Sequence, residues 1–209
     1  MELPGSEALD RRGTRWTSGI YKFPVSEPVW VSKAGMAGDG QADLRFHGGP
    51  DNVLLAYDAA HYTVWRRELG LPDLAHGSFG ENCTLSGDFS DDTVCIGDTW
   101  RIGSDLLLQV TQPRQPCWKL ARRIGRPDIV KRVMENAWGG WYSRILQEGS
   151  LAVGMPVELM ERRYGDWPVS RAVRAMYERN QDPAPARRLA ALPELSARWK
   201  QELIDESAA

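Results

Sequence analysis

From residue 18 to about residue 162 the chain is interrupted every few residues by Pro, Gly, Asp or Asn. The runs between are β-branched and aromatic, and the texture stops after Trp167-Pro168. Punctuation this dense leaves room only for short elements, which excludes long helices and coiled coils from the first three quarters of the chain. Runs such as Gly19-Ile20-Tyr21-Lys22-Phe23, Val29-Trp30-Val31 and Val53-Leu54-Leu55-Ala56-Tyr57 have the length and composition of strands joined by tight connections. Further strands are expected at 82–85, 98–102, 106–111, 141–146 and 156–162, with Gly103-Ser104 turning a hairpin. Helices are expected at 59–69, 118–124 and 127–136. In the first, Tyr62, Trp65 and Leu69 share a face before Gly70 and Pro72 stop it; in the last, Pro127 suits a first helical position.

Residues 169–205 are rich in Ala, Arg and Leu and fit three short helices: 170–179 with Ser170 as cap, 185–192 and 194–204. None is long enough to be stable alone, so they must pack on one another or on the β body. Residues 1–17 are polar and aperiodic, and are expected to be an arm or a disordered start. The fold class is therefore mainly β with inserted helices, over residues 18–163, plus a small C-terminal three-helix appendage at 167–205. A chain of 209 residues buries enough surface to fold without a disulfide or a structural metal.

Charge excludes one class of function. With 26 Lys and Arg against 28 Asp and Glu, a broadly basic nucleic-acid coat is ruled out. The amino terminus lacks the apolar core of a signal peptide, and no apolar stretch approaches the length of a membrane span, so a cytoplasmic protein without a membrane partner is expected. Cys83, Cys95 and Cys117 are odd in number and form no CxxC, which argues against a disulfide framework or a cysteine-built zinc site. Cys83 and Cys95 are assigned to packing. The near-neutral sum conceals a separation: residues 112–132 hold seven Lys or Arg and a single Asp, whereas 73–98 hold six Asp or Glu and no Lys or Arg. The acidic stretch offers a patch to a basic redox partner.

The most informative run is Gln112-Pro113-Arg114-Gln115-Pro116-Cys117-Trp118-Lys119, between an apolar strand and a helix. Two prolines stiffen the approach, and cationic neighbours favour a thiolate, the form that ligates metal or attacks as a nucleophile. Arg114 and Lys119 are suited to a phosphate. The same pattern also fits a buried filler cysteine beside a solvated helix face. In His47-Gly48-Gly49-Pro50-Asp51 the glycines allow a sharp turn or close ligand approach, and His47 is a candidate acid, base or donor. Glu81 and Asn82, in Phe79-Gly80-Glu81-Asn82, are either site residues or turn formers. GxGxxG after a strand, GxxxxGK[ST], HExxH and GxSxG are absent, so any redox function takes its electrons from a separate partner.

Together the runs SGIYKFPV, GMAGDGQADLRFHGGPDN, YDAAHYTVWRRELG, SFGEN, IGDTWRIG, QPRQPCWKL and GWYSRILQEG resemble the MOSC domain family, in its YiiM-like, hydroxylaminopurine-resistance branch. The resemblance runs continuously over about 18–163, and 167–205 resembles the three-helix appendage of that branch. It implies a β-barrel-like MOSC fold that binds molybdenum cofactor, with Cys117 as the metal ligand; pyridoxal phosphate is not expected. It further implies reduction of small N-hydroxylated compounds, R–NHOH to R–NH2, with electrons from an external donor protein such as a flavin reductase. In that scheme Arg114, Lys119, Lys22 and Arg45 bind the cofactor, His47 is catalytic as proton donor, and Glu81 and Asn82 orient substrate. Two other readings share parts of this evidence: a sulfur carrier forming a Cys117 persulfide for metal–sulfur assembly, and a non-catalytic module whose helical tail binds a macromolecule.

Overall fold

The computed structural model describes residues 8–9, 15–16, 18–40 and 49–205. Strands β1 (Ala8–Leu9) and β2 (Arg15–Trp16) pair antiparallel within the expected arm; the rest of 1–17 lies outside the described residues. A three-stranded sheet has the order β10-β3-β4, from β3 (Val29–Ser32), β4 (Gly35–Met36) and β10 (Gly149–Leu151). The main sheet comprises β5 (Leu54–Asp58), β6 (Cys83–Leu85), β7 (Thr99–Ile102), β8 (Leu106–Pro113), β9 (Trp141–Gln147) and β11 (Val157–Glu161). Its order is β11-β7-β8-β9-β5-β6, and it curls as a half-barrel. All its neighbours are antiparallel except β5 and β6, which are parallel and joined through α1 (Ala59–Leu69).

Central strands are covered on both faces. Every residue of β5 is buried, so it reads as an unbroken Leu-Leu-Ala-Tyr run rather than an alternation. Helix α1 starts where the Asp58 carboxylate accepts from the Ala60 N–H at 2.8 Å, and stops at Gly70, left-handed at φ 64°. It buries Tyr62, Trp65 and Leu69 against Tyr57, Phe79 and residues of α2 (Trp118–Ile124) and α3 (Ile129–Asn136). This aromatic cluster backs one side of the sheet.

The tail helices α4 (Val169–Tyr177), α5 (Pro183–Ala190) and α6 (Ala197–Ile204) join the other core. Met176, Leu189, Trp199 and Leu203 lie in the same apolar cluster as Val31, Val110 and Trp141. Main-chain bonds tie the tail down: Ile96 N–H to Trp167 O at 2.9 Å, Val169 N–H to Val94 O at 2.9 Å, and Ser196 N–H to Thr111 O at 3.0 Å. The appendage in sequence is thus a buttress in space.

Several expected elements differ. Residues 19–23 form no strand; Ile20 instead packs so close to Gly80 that a Cβ there would lie 2.8 Å from its Cγ1. Ser170 does not cap α4, because its hydroxyl donates to Asp92 at 2.5 Å; α4 ends at Tyr177. Helix α5 starts two residues early on an Asp182 cap, and α6 starts at Ala197 because Ser196 accepts from the Trp199 N–H at 3.2 Å. Pro127 and Asp128 precede α3 rather than opening it. No helix among the described residues is long and apolar enough to cross a membrane.

Candidate functional site

Strand β8 is the longest of the sheet, and its continuation makes the site. Beyond Pro113 the chain stays extended through Arg114-Gln115-Pro116 to Cys117, whose φ of −119° and ψ of 171° put it just outside the first turn of α2. Pro113 still pairs with Trp141 of β9, and the Arg114 N–H donates to Gly140 O at 2.9 Å. Gly139 allows that approach, since a Cβ there would sit 2.4 Å from Arg114 O. Beside this segment opens a cleft. Its walls include Ile20, Lys22, Asn52 and Asn82 on one part, and Arg114, Gln115, Cys117, Lys119 and Tyr142 on another.

Of the residues singled out in the sequence, Cys117, Arg114, Lys119, Lys22 and Asn82 therefore meet in one cleft. Arg114 is only 7% exposed. Its Nη2 donates to Phe79 O at 3.1 Å, while its buried Nη1 has no partner among the described residues. Lys22 is ion-paired with Asp39. The other Asp39 oxygen accepts from Asn82 Nδ2 at 2.7 Å, and Asn82 Oδ1 accepts from the Leu55 N–H at 3.0 Å. Lys22 and Asn82 are thus joined through one carboxylate that spans the cleft wall. Burial raises the Tyr142 phenol above its usual range, with Arg114 pulling the other way, so it holds its proton at neutral pH.

Other candidates fall elsewhere. Glu81 is not on the cleft wall; it is 2% exposed and accepts from Tyr62 OH at 2.5 Å, the Gly77 N–H at 2.8 Å and Thr84 Oγ1 at 2.9 Å. All three bonds fall on Oε1 and shape the 77–84 turn, while the buried Oε2 has no partner among the described residues. Arg45 and His47 lie outside the described residues. Sequence reasoning missed Asn52, Tyr142, Asp39 and Gln115. Asn52 sits directly after the His47–Asp51 run that drew attention, whereas Tyr142 carries no local signal and arrives only through strand pairing.

The segregated charges also resolve differently in space. Within 112–132, Arg132 pairs with Glu68, Arg126 donates to Leu69 O and Arg123 stacks over Tyr21 at 4.9 Å, leaving Arg114 and Lys119 on the cleft. Within 73–98, Glu81, Asp91 and Asp98 are interior; Asp91 pairs with His61 at 2.8 Å and Asp98 with Arg162 at 2.6 Å. Much of the acidic stretch is core wiring rather than surface. Cys83 and Cys95 are packed as expected, and burial pushes the Cys83 thiol up to about 11.

Comparison with known proteins adds the family context. The family model described as MOSC domain matches residues 43–158, and that described as YiiM-like, 3-alpha helix domain matches 167–203. The uncharacterized protein YflK of Bacillus subtilis is 36% identical over 204 residues, spanning 98% of this chain and 91% of that protein. A Gibberella moniliformis protein named Reductase is 39% identical over 170 residues, 80% of this chain; the match spans only 30% of that longer protein. The crystal structure of YiiM from Geobacillus stearothermophilus superposes with a TM-score of 0.78 at 35% identity, covering 95% of this chain and 93% of that one.

Proposed function

The chain belongs to the MOSC domain family, and we propose that it is a molybdenum-cofactor-dependent reductase that converts small N-hydroxylated compounds, R–NHOH, to R–NH2. The observation that carries this reading is the pairing of Cys117 with the unpartnered Nη1 of buried Arg114 on one cleft. A similar chain named Reductase, and the general association of MOSC domains with molybdenum cofactor, support it.

The residues fit such a group. Cys117 provides one soft thiolate on the cleft wall, the donor suited to a metal whose remaining ligands arrive with a dithiolene cofactor. Arg114 is anchored on Phe79 O by one nitrogen and offers the other to an anionic or carbonyl oxygen. Lys119 adds a cation at the same wall. Lys22 is committed to Asp39, so contact with a cofactor phosphate would require it to exchange partners; Asn82 keeps the carboxylate in place meanwhile.

When bound, the cofactor supplies two-electron oxygen-transfer chemistry at molybdenum. Overall, R–NHOH with two electrons and two protons gives R–NH2 and water. The electrons come from a separate protein, a flavin reductase in the simplest case, and the setting is cytoplasmic. Tyr142 contributes a neutral phenol at the cleft wall, suited to hydrogen bonding rather than to giving up its proton.

The direct test is molybdenum and pterin content after expression in a host that makes the cofactor. About one molybdenum per chain, lost in Cys117→Ala with an unchanged melting curve, supports the reading. Wild-type protein without molybdenum overturns it, and a sulfur adduct on Cys117 in that protein would identify a persulfide carrier instead.

A further inference from the structure

Both anchors of Arg114 lead back to one buried pair outside the cleft. The Arg114 N–H donates to Gly140 O at 2.9 Å, and its Nη2 donates to Phe79 O at 3.1 Å. Gly140 is held in turn by Asp91, whose Oδ1 accepts the Gly140 N–H at 3.0 Å while its Oδ2 lies 2.8 Å from His61 Nε2. The His61 ring stacks on Trp138, two residues before Gly140, with centroids 4.3 Å apart. It also meets Tyr57 edge-on at 5.4 Å, and Tyr57 stacks on Phe79 at 4.7 Å. Gly140 has a φ of 74°, and a Cβ there would lie 2.2 Å from Ala56 O, so no other residue fits the turn.

His61 is 6% exposed and Asp91 1%, and neither lines the cleft, so the pair does not touch a ligand there. Stability alone does not require it, because apolar side chains of the same shape often replace a buried hydrogen-bonded pair at no cost. What the carboxylate supplies is direction, with one oxygen fixed by His61 and the other aimed at the Gly140 N–H. We infer that Asp91 and His61 are positioning residues for the cleft, setting the 138–140 turn and through it the placement of Arg114. This rests on the proposed function for what Arg114 holds, and deepens it by naming the pair that holds Arg114. The same loop has a second contact that leaves Gly140 alone: the Asp92 side chain accepts from Ser170 Oγ at 2.5 Å. It supplies the control.

The test reads amide hydrogen exchange by NMR on the full-length, metal-free chain. The Val110 N–H, bonded to Asp98 O at 2.9 Å on the same strand as Pro113, is the internal reference. In Asp91→Ala the Gly140 and Arg114 amides are expected to exchange about 10- to 100-fold faster relative to Val110. Asp91→Asn, which keeps an oxygen for the Gly140 N–H, restores most of the protection. His61→Phe keeps a ring on Trp138 but removes the donor to Asp91; it accelerates the same two amides, and it decides the question if Asp91→Ala does not fold. Ser170→Ala lowers the melting temperature and changes all three amides by the same factor, as a merely structural contact does. Uniform acceleration of the three amides in Asp91→Ala and His61→Phe, or no acceleration, overturns the inference. Molybdenum per chain, from a host that makes the cofactor, is expected to fall in Asp91→Ala and to be kept in Asp91→Asn and Ser170→Ala; full retention in Asp91→Ala also overturns it. Selective exchange beside a wild type that never carries molybdenum sinks the reductase reading alone; molybdenum in the wild type beside uniform exchange sinks this inference alone.

Discussion

Replacing Trp199 with Ala asks whether the three tail helices and the sheet unfold as one unit. Trp199 is 1% exposed on α6 and belongs to the same apolar cluster as Val110 of β8 and Trp141 of β9. Removing a buried Trp side chain costs about 3–5 kcal/mol through lost burial and the residual cavity. The lower half of that range applies, because the indole Nε1 is buried without a partner and its loss removes an unpaired donor. For a cooperative unit near 200 residues each kcal/mol moves Tm by roughly 2–4 °C, so a fall of about 6–16 °C is expected. Calorimetry with far-ultraviolet dichroism is the assay, and a single transition should move as a whole. If Trp199→Ala splits the melt, leaving the larger transition within about 2 °C of wild type, the tail is an independent domain and the shared-core reasoning fails.

Four further outcomes follow from named contacts. Gly139→Ala, whose Cβ would lie 2.4 Å from Arg114 O, should cost about 1–3 kcal/mol by overpacking and reduce molybdenum retained per chain; full retention would show that Arg114 placement is not limiting. Asp98→Asn weakens the paired bonds to Arg162 at 2.9 and 2.6 Å and should lower stability by about 2 kcal/mol, read from the urea midpoint. Because the Cys83 thiol is pushed up to about 11, it stays protonated at neutral pH and reacts only as pH rises toward that value; iodoacetamide near neutrality should label Cys117 and spare Cys83, as read by peptide mass spectrometry. Asn82→Ala removes the bonds to the Leu55 N–H and to Asp39, with an expected loss of about 1–2 kcal/mol in thermal melts.

The sequence was most legible where local chemistry decides. Helix α1 spans the expected 59–69 because its apolar spacing, Asp58 cap and left-handed Gly70 agree. Cys117, Arg114 and Lys119 could be named from one run because they are close neighbours in the chain, where the continuation of β8 meets α2. Legibility failed where partners are distant. Residues 19–23 look like a strand, but Ile20 packs on Gly80 at the cleft wall and Phe23 faces solvent, so no ladder forms. Nothing local to Glu81 reveals that Tyr62, nineteen positions away, donates to its Oε1. Asn52 and Asn82 are indistinguishable as letters; only the structure shows Asn82 bonded to Leu55 and Asp39.

The bracing of β8 by α6 also sets an order of assembly. Ser196 holds Gln112, and Glu202 accepts from Gln115 Nε2 at 3.2 Å, contacts 84 and 87 positions apart in the chain. Gln115 lines the cleft two residues before Cys117. Chains fold from the amino end as they are synthesised, and distant contacts wait for their second half. The cleft wall is therefore pinned only after residue 202 has emerged from the ribosome. A ligand offered to the nascent chain before that point meets a wall that has not yet been fixed.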